Sequence, residues 1–343
     1  MQEHIVIGLD TGKDVFHLLE ANRHGGGRVR RKFTRRRLIS YLSNHEKSLI
    51  GLEACAGSHH LARKLGAFGH TVRLMGAQHV RPYVMGGKND FNDAAGAWEA
   101  VQRPRMRYVP VKTVAQQELC ALHRARALSE KLRTAVSNQI RGILGEFGIV
   151  VAKGVGSVKR RLPEVLEDAD NELTPGLRRL LAELGEELHR LDERFARYTR
   201  ALRAESQGRE ECRRLETIPG IGPMVATATV ARSGDGQAFR NGRHHAAWMG
   251  LVPRQFSTGG KPRLGPITKR GDAYLRTMYV HGARALLQVC KRRPDDPLCR
   301  WATELEARVG WNKAVVALAN KLARIAFVVL TRGVAYDPKR LAV

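Results

Sequence analysis

The sequence predicts an α/β domain followed by an all-α region, and three observations carry that expectation. Short apolar runs alternate with helical stretches over residues 5–110. From about residue 114 onward, apolar positions recur at spacings of three and four, the helical period. A length of 343 residues is enough for two or three domains with cores of their own. The boundaries this suggests are 1–112, 113–214 and 215–343.

In the first domain, Ile5–Leu9, Val15–Glu20, Val29–Phe33, Ser48–Leu52 and Thr71–Met75 read as strands. Helices are expected near Arg36–Asn44, His59–Phe68 and Asn92–Val101. Gly25-Gly26-Gly27 supplies a hairpin turn between the second and third strands. Three strands come first, and strands then alternate with helices. A ribonuclease-H-like sheet has that arrangement, and it sets metal carboxylates on the ends of its central strands.

The helical region opens with Val114–Phe147, whose Leu119, Leu122, Leu132, Val136, Ile140, Ile143 and Phe147 lie on one side. A second helix begins at Pro175-Gly176. Its Leu177, Leu181, Leu184, Leu188, Leu191, Phe195, Tyr198 and Leu202 form a heptad seam. Running to about Arg214, it would extend roughly 60 Å. It is read as a coiled-coil arm for dimerisation or spacing, the alternative being packing on the first helix of the same chain.

The third region starts near Leu215. Thr217-Ile218-Pro219-Gly220-Ile221-Gly222-Pro223 has the turn of a helix–hairpin–helix, where Gly220 and Gly222 would let backbone amides approach a phosphate. A tight helical corner is the alternative. A loop dense in Gly, Arg and Lys follows over Arg254–Arg276, then two apolar helices. The most apolar stretch, Ala314–Leu330, is interrupted by Asn320, Lys321 and Arg324, so a buried helix is expected and no membrane partner. The first strand begins within a few residues of Met1 without a signal peptide, and a cytoplasmic protein is expected.

Lys and Arg number 59 against 33 acids, a formal charge of +26. Arg dominates, and its guanidinium fork matches phosphate in a bidentate way, so the balance points to nucleic acid beyond mere solubility. Arg23–Arg37 alone holds eight basic residues and no acid. Cys55, Cys120, Cys212, Cys290 and Cys299 lie far apart with no C-x-x-C pair. That excludes a zinc ribbon or disulfide framework and suggests small core residues in a reducing compartment.

Against this positive background, four acids stand out. Asp10 and Glu53 end two apolar strands, and Asp90 and Asp93 sit three apart at a helix start, on one face. Carboxylates gathered from several elements are what a pair of Mg²⁺ ions needs to cut a phosphodiester. Lys13 and Lys88 flank the set and could meet the scissile phosphate. Ordinary surface and capping acids are the plain alternative.

A second candidate is Ser257, whose neighbours Arg254, Lys261, Arg263, Lys269 and Arg270 could gather a phosphate. No His or Asp at a telling spacing activates it, so the residues suggest a phosphate-binding loop, with Ser257 or equally Thr258 as a possible nucleophile. His59-His60 and His244-His245 read as surface or interface residues, because adjacent helical side chains point apart. Trp98, Trp248, Trp301 and Trp311 read as core.

Three segments, Gly8-Leu9-Asp10-Thr11-Gly12-Lys13, Leu52-Glu53-Ala54-Cys55-Ala56-Gly57 and Lys88-Asn89-Asp90-Phe91-Asn92-Asp93-Ala94, resemble the N-terminal part of the DEDD-type insertion-sequence transposases. Ile218–Pro223, Gly250-Leu251-Val252-Pro253-Arg254, Ser257–Lys261, Arg263-Leu264-Gly265 and Ile267–Asp272 resemble that family's C-terminal transposase domain. The resemblance spans nearly the whole chain. It implies a RuvC-like domain with Asp10, Glu53, Asp90 and Asp93 as an Mg²⁺ tetrad, and Ser257 as a nucleophile forming a covalent link to DNA. It further implies a guide RNA encoded by the element, pairing with target and donor DNA, and a homodimer or homotetramer sharing composite sites. Arg30, Arg31, Lys32 and the cations around Ser257 would grip nucleic acid. Two departures stand out: Asn89 replaces a common Thr, and Pro266 a common basic residue. Two rival functions remain open, a junction-resolving endonuclease using metal-activated water and a non-catalytic nucleic-acid-binding protein.

Overall fold

The structure, a computed structural model, describes residues 5–87 and 89–340; Lys88 lies outside them. The chain divides into two compact units, Met1–Thr113 and Val114–Val343.

The first unit is a six-stranded sheet in the order β3-β2-β1-β4-β5-β6. Its strands are β1 (Ile5–Thr11), β2 (Val15–Asn22), β3 (Val29–Thr34), β4 (Leu49–Glu53), β5 (Thr71–Met75) and β6 (Tyr108–Val109). Hairpins make β1, β2 and β3 antiparallel, while β4 and β5 run parallel to β1. Helices α1 (Arg35–Ser43), α2 (Ser58–Ala67), α3 (Ala77–Val80) and α4 (Asp90–Val101) complete the unit. The five strands expected from the sequence are present with ends shifted by a residue or two. The two-residue β6, too short to show a period, was not expected. A mixed sheet of this kind is consistent with a ribonuclease-H-like domain.

Strand alternation sorts the core into two layers. Ile7, Leu9, Phe16, Leu18, Ile50 and Leu52 meet Leu38, Leu42, Leu61 and Leu65 of α1 and α2. Val6, Leu19 and Ala21 meet Ala94, Ala97, Trp98 and Val101 of α4. Gly8 and Gly51 explain how close α4 lies. A Cβ on Gly8 would sit 2.0 Å from the Ala94 carbonyl oxygen, and one on Gly51 would sit 2.6 Å from Val101 Cβ. Glycine inside a strand here marks the close approach of a helix backbone.

The second unit contains α5 (Val114–Glu146), α6 (Val155–Glu167), α7 (Pro175–Gly208), α8 (Glu210–Glu216), α9 (Pro223–Ser233) and α10 (Gly242–Trp248). A hairpin, β7 (Pro253–Gln255) and β8 (Leu264–Ile267), precedes α11 (Ala273–Cys290), α12 (Pro297–Val309) and α13 (Trp311–Arg332). Here the sequence expectation needs four corrections. The long helix stops at Gly208, where Arg209 turns extended (φ −114°, ψ 122°) before α8 begins. Its heptad seam does not stand free. Arg126 bonds Thr199 and Arg133 bonds Asp192, so α5 and α7 run antiparallel, and Leu181 and Leu188 are buried with Ile140, Leu144 and Leu162 of α5 and α6. The basic loop contains a hairpin. Finally, the C-terminal region holds three helices, because Asp296 caps α12 and Pro297 opens it, while Gly310 separates it from α13.

Helix α13 is long and apolar enough to cross a membrane by length and composition. Its Ala314, Val315, Leu318, Leu322 and Ile325 instead belong to the core shared with α9, α11 and α12. Four cysteines are buried, but Cys55 is exposed and its thiol lies 2.7 Å from Thr11 Oγ1, so it is no core residue. His245 is also not at the surface. It is buried, bonded to Ser233 Oγ at 2.8 Å and to the Ala323 carbonyl at 3.0 Å.

Candidate active site

Period-two alternation decides which acids meet. Along β1, Val6 and Gly8 face α4, so Asp10 does too; along β4, Gly51 faces α4 and Glu53 follows it. Leu9 pairs with Leu52 in the parallel register, which places Asp10 and Glu53 side by side at the carboxyl ends of neighbouring strands. The glycines two residues earlier allow the start of α4 to reach this edge. Asn89 caps that helix, its side chain accepting from the Phe91 amide at 2.9 Å, so the common Thr is replaced by an equally good cap. Asp90 and Asp93 fall in the first turn, where the helix dipole favours negative charge.

The four acids feel one another. Burial, then the charges of Asp93 and Asp90, raise the Asp10 pKa, with His17 and the Thr11 amide pulling the other way. Burial, then Asp10 and Asp93, raise that of Glu53. Like charges crowded into a half-buried edge are what a cation would relieve.

His17 is the residue that sequence reasoning missed. It faces Asp10 across the β1–β2 hairpin, and its Nδ1 lies 3.5 Å from Asp90 Oδ2. Donor atoms of Asp10, His17 and Asp90 all lie within 4.8 Å of one another, a set able to surround one ion. The signal was available: the short turn at Gly12–Asp14 fixes the register that sets position 17 opposite position 10.

The basic candidates of this unit sit on its rim. Lys13 is exposed in the β1–β2 turn, and Arg30, Arg31 and Lys32 are exposed on the edge strand β3. Arg31 covers the Tyr41 ring at 5.0 Å and Arg30 the Phe91 ring at 5.9 Å. Cations on an edge strand also discourage pairing with other sheets, so their placement alone does not assign them a ligand.

In the second unit, Ser257 lies just before the tip of the β7–β8 hairpin. Gly259 (φ 56°) and Gly260 (φ 75°) form a two-residue turn closed by a Thr258–Lys261 bridge. Ser257 Oγ accepts from Gln255 Nε2 at 2.8 Å and from the Arg263 amide at 3.2 Å. With both acceptor positions filled, its own O–H is left to donate a hydrogen bond. Arg254, Lys261, Arg263, Lys269 and Arg270 are all exposed, as is Thr258. Asp272, paired with Arg232, caps α11 and so anchors the end of this segment.

The glycine turn between α8 and α9 divides in role. Gly220 packs on α11, where its added Cβ would meet the Gly282 carbonyl and Leu286 Cβ at 3.0 Å. Packing alone therefore accounts for it. Gly222 is exposed and open on its outer side. His59-His60 and His244-His245 form no metal cluster among the described residues.

Comparison with known proteins gives two family matches. Residues 7–149 match DEDD_Tnp_IS110, described as "Transposase", and residues 212–296 match "Transposase IS116/IS110/IS902 family". The chain is 44% identical to a "Probable family 20 transposase" of Pseudomonas aeruginosa, over 97% of this chain and 98% of that one. It is 40% identical to the "Transposase for insertion sequence element IS1111A" of Coxiella burnetii, over 98% and 92% respectively. It is likewise 40% identical to the "Transposase for insertion sequence element IS1328" of Yersinia enterocolitica, over 97% and 98%.

Proposed function

The chain belongs to the IS110 family of insertion-sequence transposases, and from that membership we propose an RNA-guided DNA recombinase that cleaves and rejoins DNA to move its own element. The observation that carries the reading is the meeting of Asp10, Glu53 and the first turn of α4 at one sheet edge. Asp10, Glu53, Asp90 and Asp93 fit divalent ions, because burial and then their mutual repulsion raise the pKa values of Asp10 and Glu53, and all four offer hard oxygen donors. Two Mg²⁺ ions bound there would neutralise the carboxylates and polarise a scissile phosphate.

The remaining roles belong to the chain's own side chains. Ser257 is the nucleophile: its oxygen bonds to phosphorus, the DNA sugar oxygen leaves, and the serine proton passes to solvent or a phosphate oxygen. The phosphodiester energy is kept in the phosphoserine link and returned on strand exchange. Arg254, Lys261, Arg263, Lys269 and Arg270 hold the phosphate there, Lys13, Arg30 and Lys32 hold backbone near the carboxylates, and Arg31, on the opposite sheet face over Tyr41, extends the grip, with Lys88 assigned a backbone contact from the sequence alone. Gly222 exposes an amide-bearing helix start to nucleic acid, with Gly220 shaping the turn. An element-encoded guide RNA pairs with target and donor DNA. A homodimer or homotetramer brings one subunit's serine to another's carboxylates.

Ser257→Ala tests the chemistry. A DNA adduct that survives denaturing gels is expected from the parent protein and from no Ser257→Ala sample. An adduct persisting in the variant would move the nucleophile elsewhere, and DNA cleavage without any adduct would favour attack by water, the junction-resolving alternative. Sequencing the RNA that copurifies tests the guide, a random RNA population counting against it.

A further inference from the structure

We propose that His17 is a nitrogen ligand to the divalent ion held by Asp10 and Asp90, a proposal that rests on the metal reading above. The imidazole is only 8% exposed, and its Nδ1 is buried with no hydrogen-bond partner among the described residues. A buried polar atom without a hydrogen bond calls for an explanation, and an ion is one of the few that fit. The nearest carboxylate oxygen, Asp90 Oδ2, stands 3.5 Å away, beyond a charge-assisted hydrogen bond of about 2.7–2.9 Å. The gap is the kind left between two ligands of a common centre.

The ring cannot easily turn elsewhere. It is packed edge-on against Phe91 at 4.8 Å, an interplanar angle of 79°. Strand β2 lies between β1 and β3, and the register opposes His17 to Asp10, so both project from the α4 face of the sheet. Donor atoms of Asp10, His17 and Asp90 span at most 4.8 Å. Ligands roughly 2.1–2.2 Å from a shared ion stand about 4.3 Å apart when opposite and about 3 Å when adjacent. Shifts of a few tenths of an ångström would close the shell.

The consequence is selectivity. An all-carboxylate position suits Mg²⁺, whereas an imidazole among the ligands moves preference toward Mn²⁺ and the later first-row ions. One of the ions in this site is therefore expected to be bound more tightly as Mn²⁺ than as Mg²⁺.

The test uses the full-length protein titrated with Mn²⁺ and read by electron spin-echo envelope modulation, which detects a directly bonded ¹⁴N. The expected result is an imidazole ¹⁴N coupling in the parent protein, lost in His17→Phe together with about 10–100-fold in Mn²⁺ affinity. His17→Asn, which returns an oxygen donor near the same place, should recover part of the affinity and none of the coupling. Bound Mn²⁺ showing no ¹⁴N coupling in the parent protein overturns the proposal without any variant having to fold. Coupling that survives in a folded His17→Phe protein overturns it too. Asp10→Asn separates the two readings. Loss of Mn²⁺ binding there, with no ¹⁴N coupling in the parent, removes His17 alone, whereas unchanged Mn²⁺ affinity removes the carboxylate site and His17 with it.

Discussion

Replacing Gly8 with alanine puts a methyl group 2.0 Å from the Ala94 carbonyl oxygen, 2.5 Å from the Trp98 amide nitrogen and 2.6 Å from Trp98 Cβ. Ordinary contact begins at 3.4 Å, so the shortfall to the carbonyl is 1.4 Å and the obstacle is helix backbone, which cannot rotate aside. Helix α4 must move off the sheet by roughly an ångström, and overpacking of this kind costs about 1–3 kcal/mol or more. In a unit of this size each kcal/mol lowers the melting temperature by roughly 4–8 °C. The same displacement carries Asp90 and Asp93 away from Asp10 and Glu53. A misplacement of about 1 Å at a reacting centre can reduce rate by on the order of 10²-fold. Differential scanning calorimetry and Mn²⁺ titration read both effects. Gly145→Ala is the control, since that helical position is open on all sides and alanine should stabilise it by up to about 1 kcal/mol. A Gly8→Ala protein with the parent's melting temperature and Mn²⁺ affinity would refute the claim that this glycine sets the depth of α4 and thereby assembles the acids.

Three further outcomes are expected. Without metal near pH 7, Asp10→Asn should melt above the parent protein, because it removes a charge that burial, Asp93 and Asp90 all disfavour; saturating Mn²⁺ should reverse the order, and equal melting curves throughout would contradict this. His123 and His245 are buried neutral, desolvation first among the causes, with pKa values lowered to about 4. Their stabilising effect is complete above the unfolded value near 6.5 and is lost as pH falls toward 4, because the unfolded chain then binds two more protons. The second unit should lose up to about 2.7 kcal/mol per pH unit within that window, and His245→Gln should reduce the slope by about half. If Arg30 and Arg31 contact phosphates, alanine at each should flatten the salt dependence of nucleic-acid binding by roughly one charge without altering sequence preference; an unchanged slope would make them edge-strand guards only.

Much of the first unit was legible because β1, β2 and β4 are apolar runs bounded by turn residues, because Gly25-Gly26-Gly27 announces the hairpin into the basic β3, and because strand-end acids are rare in so basic a chain. What the sequence leaves implicit is register, which has to be counted out across each turn. Asp10 and Glu53 share a face with the α4 acids because Gly8 and Gly51 precede them by two residues, and His17 joins them only through the hairpin count across Gly12–Asp14. The helical half was harder. The Leu181–Leu188 stripe announces that a partner exists, yet the same stripe suits a second subunit or, as found, α5 and α6 of the same chain. The β7–β8 hairpin escaped notice because β7 is three exposed residues and β8 is four that include Gly265 and Pro266, so no apolar alternation marks them; Gly259-Gly260, a two-residue turn signal, was the available clue. Cys55 and His245 fell on the wrong sides of the surface because residue type alone carries little information on burial.

Anomalous X-ray diffraction from crystals grown with Mn²⁺ addresses the carboxylate site most directly. Anomalous density is expected within about 2.0–2.3 Å of carboxylate oxygens of Asp10 and Asp90, with Glu53 and Asp93 completing the coordination. Manganese bound elsewhere on the protein, with none inside coordination distance of Asp10, would contradict a metal-dependent phosphodiester chemistry at this edge.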